Sequence, residues 1–140
     1  MATLKQPSQV LTFVSPTGEA STPEIDGIVL DVIGRVADKW TMLVLEVLAQ
    51  HGVQRFTRIG QLVGNISQRM LTKTLRQMEQ DGFVTRTVYP EVPPRVEYQL
   101  TELGESLCAA FCSVWTWAET HQVELKALRE ARDRYTTTTL

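Results

Sequence analysis

The stretch SQRMLTKTLRQMEQ, from Ser67 to Gln80, decides the fold of this chain. Leu71, Leu75 and Met78 recur at helical spacing, which predicts one amphipathic helix with a buried apolar side. The other side carries arginine, lysine, glutamine and threonine, with no acid before Glu79. Arginine binds phosphates and guanine edges, and glutamine pairs with adenine, so this side suits a DNA major groove. An ordinary solvated cationic face is the alternative that this helix alone leaves open.

The residues before this helix complete a helix-turn-helix. The run FTRIGQLVGNIS begins at Phe56 and predicts a short helix that Thr57 caps and Gly64-Asn65 ends. Ser67 is suited to cap the following helix by accepting a backbone N–H bond, and Asp81-Gly82 ends that helix. Two helices joined by a tight glycine-containing turn are typical of DNA-binding helix-turn-helix units.

A β-hairpin is predicted directly after this unit. Phe83 to Tyr89 alternates and is rich in β-branched residues, and Val96 to Leu100 alternates again. The proline-rich segment between them cannot join a ladder, because proline lacks the backbone donor. The pattern predicts a two-stranded wing with Arg95 near its tip, where it would contact the sugar-phosphate backbone or the minor groove. A plain hairpin with a solvated arginine remains the alternative.

Apolar helices flank this module. We predict one helix from Glu24 to about Asp38, a core helix from Lys39 to Gly52, and a long last helix from Thr101 to Arg134, with Thr136–Thr139 as a frayed tail. The apolar stripe of the last helix exceeds what so small a domain can cover, so we expect it to pair with a second copy. The expected dimer-interface residues are Leu107, Phe111, Val114, Trp117 and His121.

Composition and charge place the chain among ordinary globular proteins. Its 140 residues form one domain, the hydrophobic fraction is 43%, and the formal net charge is −2. Between Gly52 and Met78, however, there are five cations and no acid, which favours a local anionic partner. No apolar run approaches a membrane-spanning length and no signal peptide is recognisable, so we expect a soluble cytoplasmic protein without membrane contact.

Catalysis has little support in the sequence. The two histidines, His51 and His121, fall on separate predicted helices and outside any nucleophile or metal-ligand pattern. Gly60 and Gly64 border a helical turn, so no glycine-rich phosphate loop is present. Cys108 and Cys112 are interpreted as reduced, small apolar residues. We therefore expect no catalytic residue, no metal and no cofactor.

The chain resembles the HxlR-type family of bacterial winged helix-turn-helix transcriptional regulators. The resemblance rests on DKWT before the core helix, on ISQRMLTKTLRQMEQDG, and on TVYPEVPPRVEYQLTELG. It implies a homodimer that binds inverted-repeat operator DNA near promoters, mostly as a repressor. It also implies DNA-binding roles for the residues that helical spacing and charge select independently: Ser67, Gln68, Arg69, Thr72, Lys73, Arg76 and Arg95.

The expected fold is thus mainly α with a small β-hairpin: a winged helix-turn-helix domain with flanking dimerisation helices. Its predicted parts are an arm (1–23), the winged domain (24–119), and the end of the dimerisation helix with its tail (120–140). Some members of the family sense oxidants through a Cys-Pro dipeptide before the first helix. Thr22-Pro23 stands at that position here, which puts the thiol switch in doubt.

Two further alternatives stay open at this point. A winged helix can serve as a protein-docking module that never contacts DNA, although such surfaces usually show an apolar patch. A small-molecule effector is the second, with Trp40, Phe111 and Trp115 as candidate pocket residues, joined by Trp117 and Cys108. Core and interface packing is the ordinary explanation of such aromatic residues.

Overall fold

The computed structural model describes residues 14–138. Most of the arm predicted over residues 1–23, and Thr139 of the predicted tail, lie outside the described residues. The helices and strands are α1 (Pro23–Val36), α2 (Lys39–His51), β1 (Gln54–Arg55), α3 (Phe56–Val63), α4 (Gln68–Gln80), β2 (Val84–Tyr89), β3 (Arg95–Leu100), α5 (Glu102–Thr120) and α6 (Gln122–Thr138). The chain divides into two compact units at Asp38.

The first unit contains α1. Pro23 begins the helix, and the Thr22 hydroxyl caps it by accepting the Ile25 N–H at 3.3 Å. Five large apolar side chains of α1 are 47–59% exposed: Ile25, Ile28, Val29, Leu30 and Ile33. This helix therefore presents an unusually apolar surface for a single chain.

The second unit is built around α2. Because α2 is almost wholly apolar, α3, α4, α5 and β3 all pack against it. The fully buried side chains of this core come from α2, α3 and α4: Val44, Leu45, Ile59, Leu71, Leu75 and Met78. The apolar stripe predicted for α4 is therefore the stripe that fixes this helix on the core.

The hairpin is part of a three-stranded antiparallel sheet with the order β1-β3-β2. β2 and β3 pair from Val84↔Leu100 out to Tyr89↔Arg95, which confirms the predicted wing. β1 adds the pairs Gln54↔Tyr98 and Arg55↔Glu97 and was not predicted. Two residues are too few to show an alternating pattern, so the sequence contained no signal for this third strand.

The last predicted helix is two helices. A single helix from Thr101 to Arg134 was expected, but His121 leaves the helical conformation, with φ −103° and ψ 23°, between α5 and α6. The His121 ring lies with Nδ1 2.8 Å from the Trp117 carbonyl, which the His121 backbone N–H also contacts at 3.1 Å. The side chain thus competes for a helical acceptor at the break. Thr136–Thr138 continue α6, so the predicted fraying was wrong for these three residues.

The junction between the wing and α5 is tightly packed. The Thr101 hydroxyl donates to the Gly82 carbonyl at 2.6 Å and accepts the Gly104 N–H at 3.1 Å. A Cβ atom added at Gly104 would lie 2.2 Å from the Phe83 carbonyl oxygen. Only glycine allows this approach, which holds the base of the wing against α5.

Candidate nucleic-acid interface

Helix α4 is positioned by its caps and by its buried side. As predicted, the Ser67 hydroxyl accepts the Met70 N–H at 3.1 Å, and the helix ends at Gln80 before Asp81 and Gly82. Gly82 has φ +80°, a left-handed conformation that glycine adopts without strain. With Leu71, Thr74, Leu75 and Met78 buried, the opposite side of α4 is directed to solvent.

The exposed side of α4 borders one open groove. Its lining is polar or basic throughout: Gln68, Arg69, Thr72, Lys73, Arg76, Gln77 and Gln80. The structure thus brings together five of the predicted α4 residues, with Ser67 exposed at the start of the helix. Gln77 and Gln80 extend the surface by a turn. Because they lie four residues after Lys73 and Arg76, helical spacing could have predicted that they belong to this surface.

Within the described part of the chain, the charges on this surface have no counter-charge. Among residues 14–138, Arg69, Lys73 and Arg76 form no ion pair. The Thr72 hydroxyl donates to the Gln68 carbonyl at 2.8 Å, so its hydrogen is already used within the helix. The guanidinium and ammonium groups therefore remain available to an external anion.

Helix α3 and its turn set the angle at which α4 is presented. A Cβ at Gly60 would lie 3.2 Å from Leu71 Cδ2, so the two helices approach closely at this glycine. Gly64 with φ +71° and Asn65 with φ +50° form the turn that was predicted to end α3. The prediction that Thr57 caps α3 was wrong, because the cap position is Arg55, without a side-chain hydrogen bond.

Arg95 is held within the wing. Its guanidinium lies 3.3 Å from the Glu91 carboxylate and 3.4 Å from the Glu97 carboxylate, and it stacks 4.1 Å from the centre of the Tyr89 ring. Tyr89 is its register partner on β2, and Glu97 follows it on the same side of β3. Only 29% of the Arg95 side chain is exposed, so it differs from the solvated arginine of the alternative interpretation, and its contact with DNA stays a prediction.

The residues predicted for a dimer interface lie on α5 and at its end. Val114 and Trp117 are each 55% exposed, whereas Leu107, Phe111 and His121 are half-buried. Further exposed apolar side chains lie on α5 and α6, among them Leu103, Trp115, Val123 and Leu128. The structure thus leaves a long apolar surface uncovered on a single copy.

The predicted effector residues are only partly assembled. Phe111 and Trp115 line a groove of about 530 Å³ between α2 and α5, together with Cys108. Trp40 does not line this groove and instead lies under the Lys39 ammonium, 4.8 Å from it. Trp117 is also outside the groove and stacks on His121. The sequence placed these aromatics on the right helices but could not give the rotation of each helix.

The two cysteines differ in their surroundings. Cys108 is buried and its thiol donates to the Glu46 carboxylate, with 3.7 Å between Sγ and Oε2, whereas Cys112 is exposed. Burial, followed by the negative charge of Glu46, raises the pKa of the Cys108 thiol from its ordinary value of 9.0. Cys108 is therefore a protonated thiol at neutral pH.

Across residues 14–138, no three His, Cys, Asp or Glu side chains are grouped as a metal site would require. The same part of the chain contains no helix with the length and apolar character needed to cross a bilayer. The fold and the cationic face of α4 together define a winged helix-turn-helix protein.

Comparison with known proteins identifies the family. Residues 35–126 match the HxlR-like helix-turn-helix family. The HTH-type transcriptional regulator YtfH of Escherichia coli K12 is 38% identical over 102 residues, which are 73% of this chain and 80% of YtfH. YdeP of Bacillus subtilis 168, another HTH-type transcriptional regulator, is 41% identical over 108 residues, which are 75% of this chain and 81% of YdeP.

A solved structure leads to the same family. The redox regulator HypR in its reduced form superimposes with a TM-score of 0.65 at 35% identity, covering 71% of this chain and 98% of HypR. This chain belongs to the HxlR-like helix-turn-helix family and is a transcriptional regulator of the helix-turn-helix type. The relatives that it matches are named as regulators, and together with the solved structure they confirm the predicted family and the predicted winged fold.

Proposed function

We propose that this regulator is a homodimeric repressor that binds inverted-repeat operator DNA, with α4 of each copy in a major groove. The observation that carries the proposal is the charge on α4: Arg69, Lys73 and Arg76 are exposed and unpaired among residues 14–138, on a helix whose other side is fixed in the core. Such cations bind phosphates or guanine edges, while Gln68 pairs with adenine.

The dimer is supported by the apolar surfaces of the terminal helices. The exposed apolar side chains of α1, together with Val114, Trp117 and their neighbours on α5, need a cover that one copy does not supply. A two-fold dimer would cover the same patch on both copies and place two α4 helices about 34 Å apart, in successive major grooves. Repression then requires only that the bound dimer occupy promoter DNA.

The wing contributes a second, weaker contact. Arg95 would turn more of its guanidinium toward a phosphate by exchanging one of its carboxylate partners, and Glu91 is the more exposed of the two, at 53% against 23% for Glu97. Exposed ion pairs contribute little, about 0–1 kcal/mol, so this exchange is inexpensive. Glu97 and Tyr89 would keep the guanidinium in place meanwhile.

The test is DNA-affinity sequencing of purified protein on bacterial genomic fragments. We expect enriched fragments that share an inverted repeat, and loss of enrichment in the double variant Arg69→Ala, Arg76→Ala. The control Arg129→Ala, Arg132→Ala removes the same charge from α6 and should retain enrichment. A promoter-reporter assay then distinguishes repression from activation.

Two outcomes would contradict the proposal. A folded dimer that enriches no fragment at low salt would contradict operator binding by the dimer alone, and would leave a missing co-ligand or a protein-docking winged helix in its place. Equal loss of enrichment in both double variants would show that binding depends on total charge and not on α4. Analytical ultracentrifugation of each variant establishes that the oligomeric state is unchanged.

A further inference from the structure

The groove between α2 and α5 has a chemistry that DNA binding does not use. It is formed by α2 side chains such as Met42 and Leu43 and by Phe111 and Trp115 of α5, and its volume of about 530 Å³ lies in the range of small-molecule sites. Trp115 is 68% exposed, so its indole surface is available to a ligand. The groove lies wholly within the second unit of the chain.

A single charged residue lies among these apolar walls. Glu46 is the one ionisable acid of the lining apart from the two thiols, and no basic side chain lines the groove. Within residues 14–138, Glu46 has no cationic partner. Its carboxylate accepts hydrogen bonds from the Gln50 amide and from the Cys108 thiol, which orient it without neutralising it.

We propose that this groove binds a planar aromatic cation, with the ring system against Phe111 and Trp115 and the positive charge facing Glu46. Glu46 is exposed to solvent, so its carboxylate would repel an anion, whereas a neutral hydrocarbon would gain nothing from its charge. A cation gains from the carboxylate and from the faces of the aromatic rings together. The site requires no residue from α1 or from DNA.

The consequence for regulation rests on the proposed function. On α5, Phe111 lines this groove and is also one of the residues predicted for the dimer interface, next to the exposed Val114 and Trp117. A ligand between α2 and α5 that binds one dimer arrangement more tightly shifts the dimer toward that arrangement. The distance between the two α4 helices, and with it operator affinity, would then change.

The experiment measures binding without DNA, so that it stands apart from the operator. Isothermal titration calorimetry of the full chain is performed with the 1-methylquinolinium cation, with its neutral isostere 1-methylnaphthalene, and with the 1-naphthoate anion. We expect the cation to bind at least about tenfold more tightly than the neutral isostere, and no binding of the anion.

Two variants, each with a matched control, test whether the ligand binds in this groove. Glu46→Gln retains an amide that can accept from Cys108 but removes the charge, and it should weaken cation binding about tenfold while leaving the neutral compound unaffected. The control Glu119→Gln removes a charge from α5 outside the groove and should change nothing. Trp115→Ala should weaken all ring binding, whereas Trp40→Phe should not.

Three results would overturn the proposal. The neutral isostere binding as tightly as the cation would exclude charge recognition, and an unchanged Glu46→Gln variant would exclude this carboxylate. Absence of cation binding, together with protection of Trp115 from acrylamide quenching in the wild-type dimer, would show that a second copy covers the groove. If the cation binds but operator affinity does not change, only the regulatory consequence fails.

Discussion

Replacing Arg76 with alanine should weaken operator binding strongly while leaving the folded state intact. Arg76 is exposed on α4 and forms no ion pair among residues 14–138, so its removal leaves no buried group without a partner. A bidentate contact to a base is worth about 1–3 kcal/mol, and a dimer would lose two of them, or about 2–6 kcal/mol in all. If Arg76 contacts phosphates instead, the slope of log K against log salt should fall by about 0.9 per contact.

The assay is fluorescence anisotropy with the enriched operator and with a scrambled duplex, at several salt concentrations. Loss confined to the operator identifies a base contact, whereas loss on both duplexes with a shallower salt slope identifies a phosphate contact. The control Arg132→Ala removes an exposed arginine from α6 and should retain affinity. Unchanged operator affinity in Arg76→Ala, or a large fall in its melting temperature, would refute the reasoning.

Three further perturbations test the wing, the packing and the thiol. Glu91→Gln should tighten binding to any duplex by about 0.5–1 kcal/mol in anisotropy assays, because it frees Arg95 and removes a carboxylate near the DNA. Weaker binding would exclude the proposal that Arg95 exchanges Glu91 for a phosphate. Gly104→Ala should lower the free energy of unfolding by about 1–3 kcal/mol in urea titrations, because its Cβ would overlap a backbone oxygen. A Cβ at Gly34 meets open space, so the control Gly34→Ala should not lower the free energy of unfolding. Equal stability of the two variants would contradict this. Alkylation of Cys108 should be slow at pH 7 and should still be rising with pH at pH 9.0, because its raised pKa keeps most of it a thiol. Mass spectrometry after iodoacetamide treatment checks this, and rapid labelling at pH 7 would contradict the burial.

The parts of the fold that follow local patterns could be predicted from the sequence. Helix α4 was predicted with its cap and its end because Ser67, the apolar stripe and Asp81-Gly82 lie next to one another along the chain. The cationic face followed from the same periodicity, since fixing the buried side of a helix also fixes its exposed side. The two wing strands were predicted for an equivalent reason, their alternation with period two.

The features that were missed depend on contacts between distant residues. β1 forms because Gln54 and Arg55 pair with the edge of β3, which lies about 40 residues further along the chain. The pairing of Arg95 with Glu97 and Tyr89 follows from the strand register, which no local pattern specifies. The break at His121 falls inside a continuous apolar stripe, at a residue whose ring contacts a backbone carbonyl. The exclusion of Trp40 from the groove reflects the rotation of α2 about its axis.

The distribution of ion pairs explains how a chain of net charge −2 can bind DNA in a defined orientation. Arg35 of α1 pairs with Asp31, and Arg95 of the wing pairs with two glutamates, so these cations are neutralised locally. In contrast, the five cations between Gly52 and Met78 form no ion pair within residues 14–138. Because paired charges contribute little to the field at a distance, the attraction of DNA is concentrated on α3 and α4. The acids elsewhere repel the duplex, so the winged module is the surface that approaches it first.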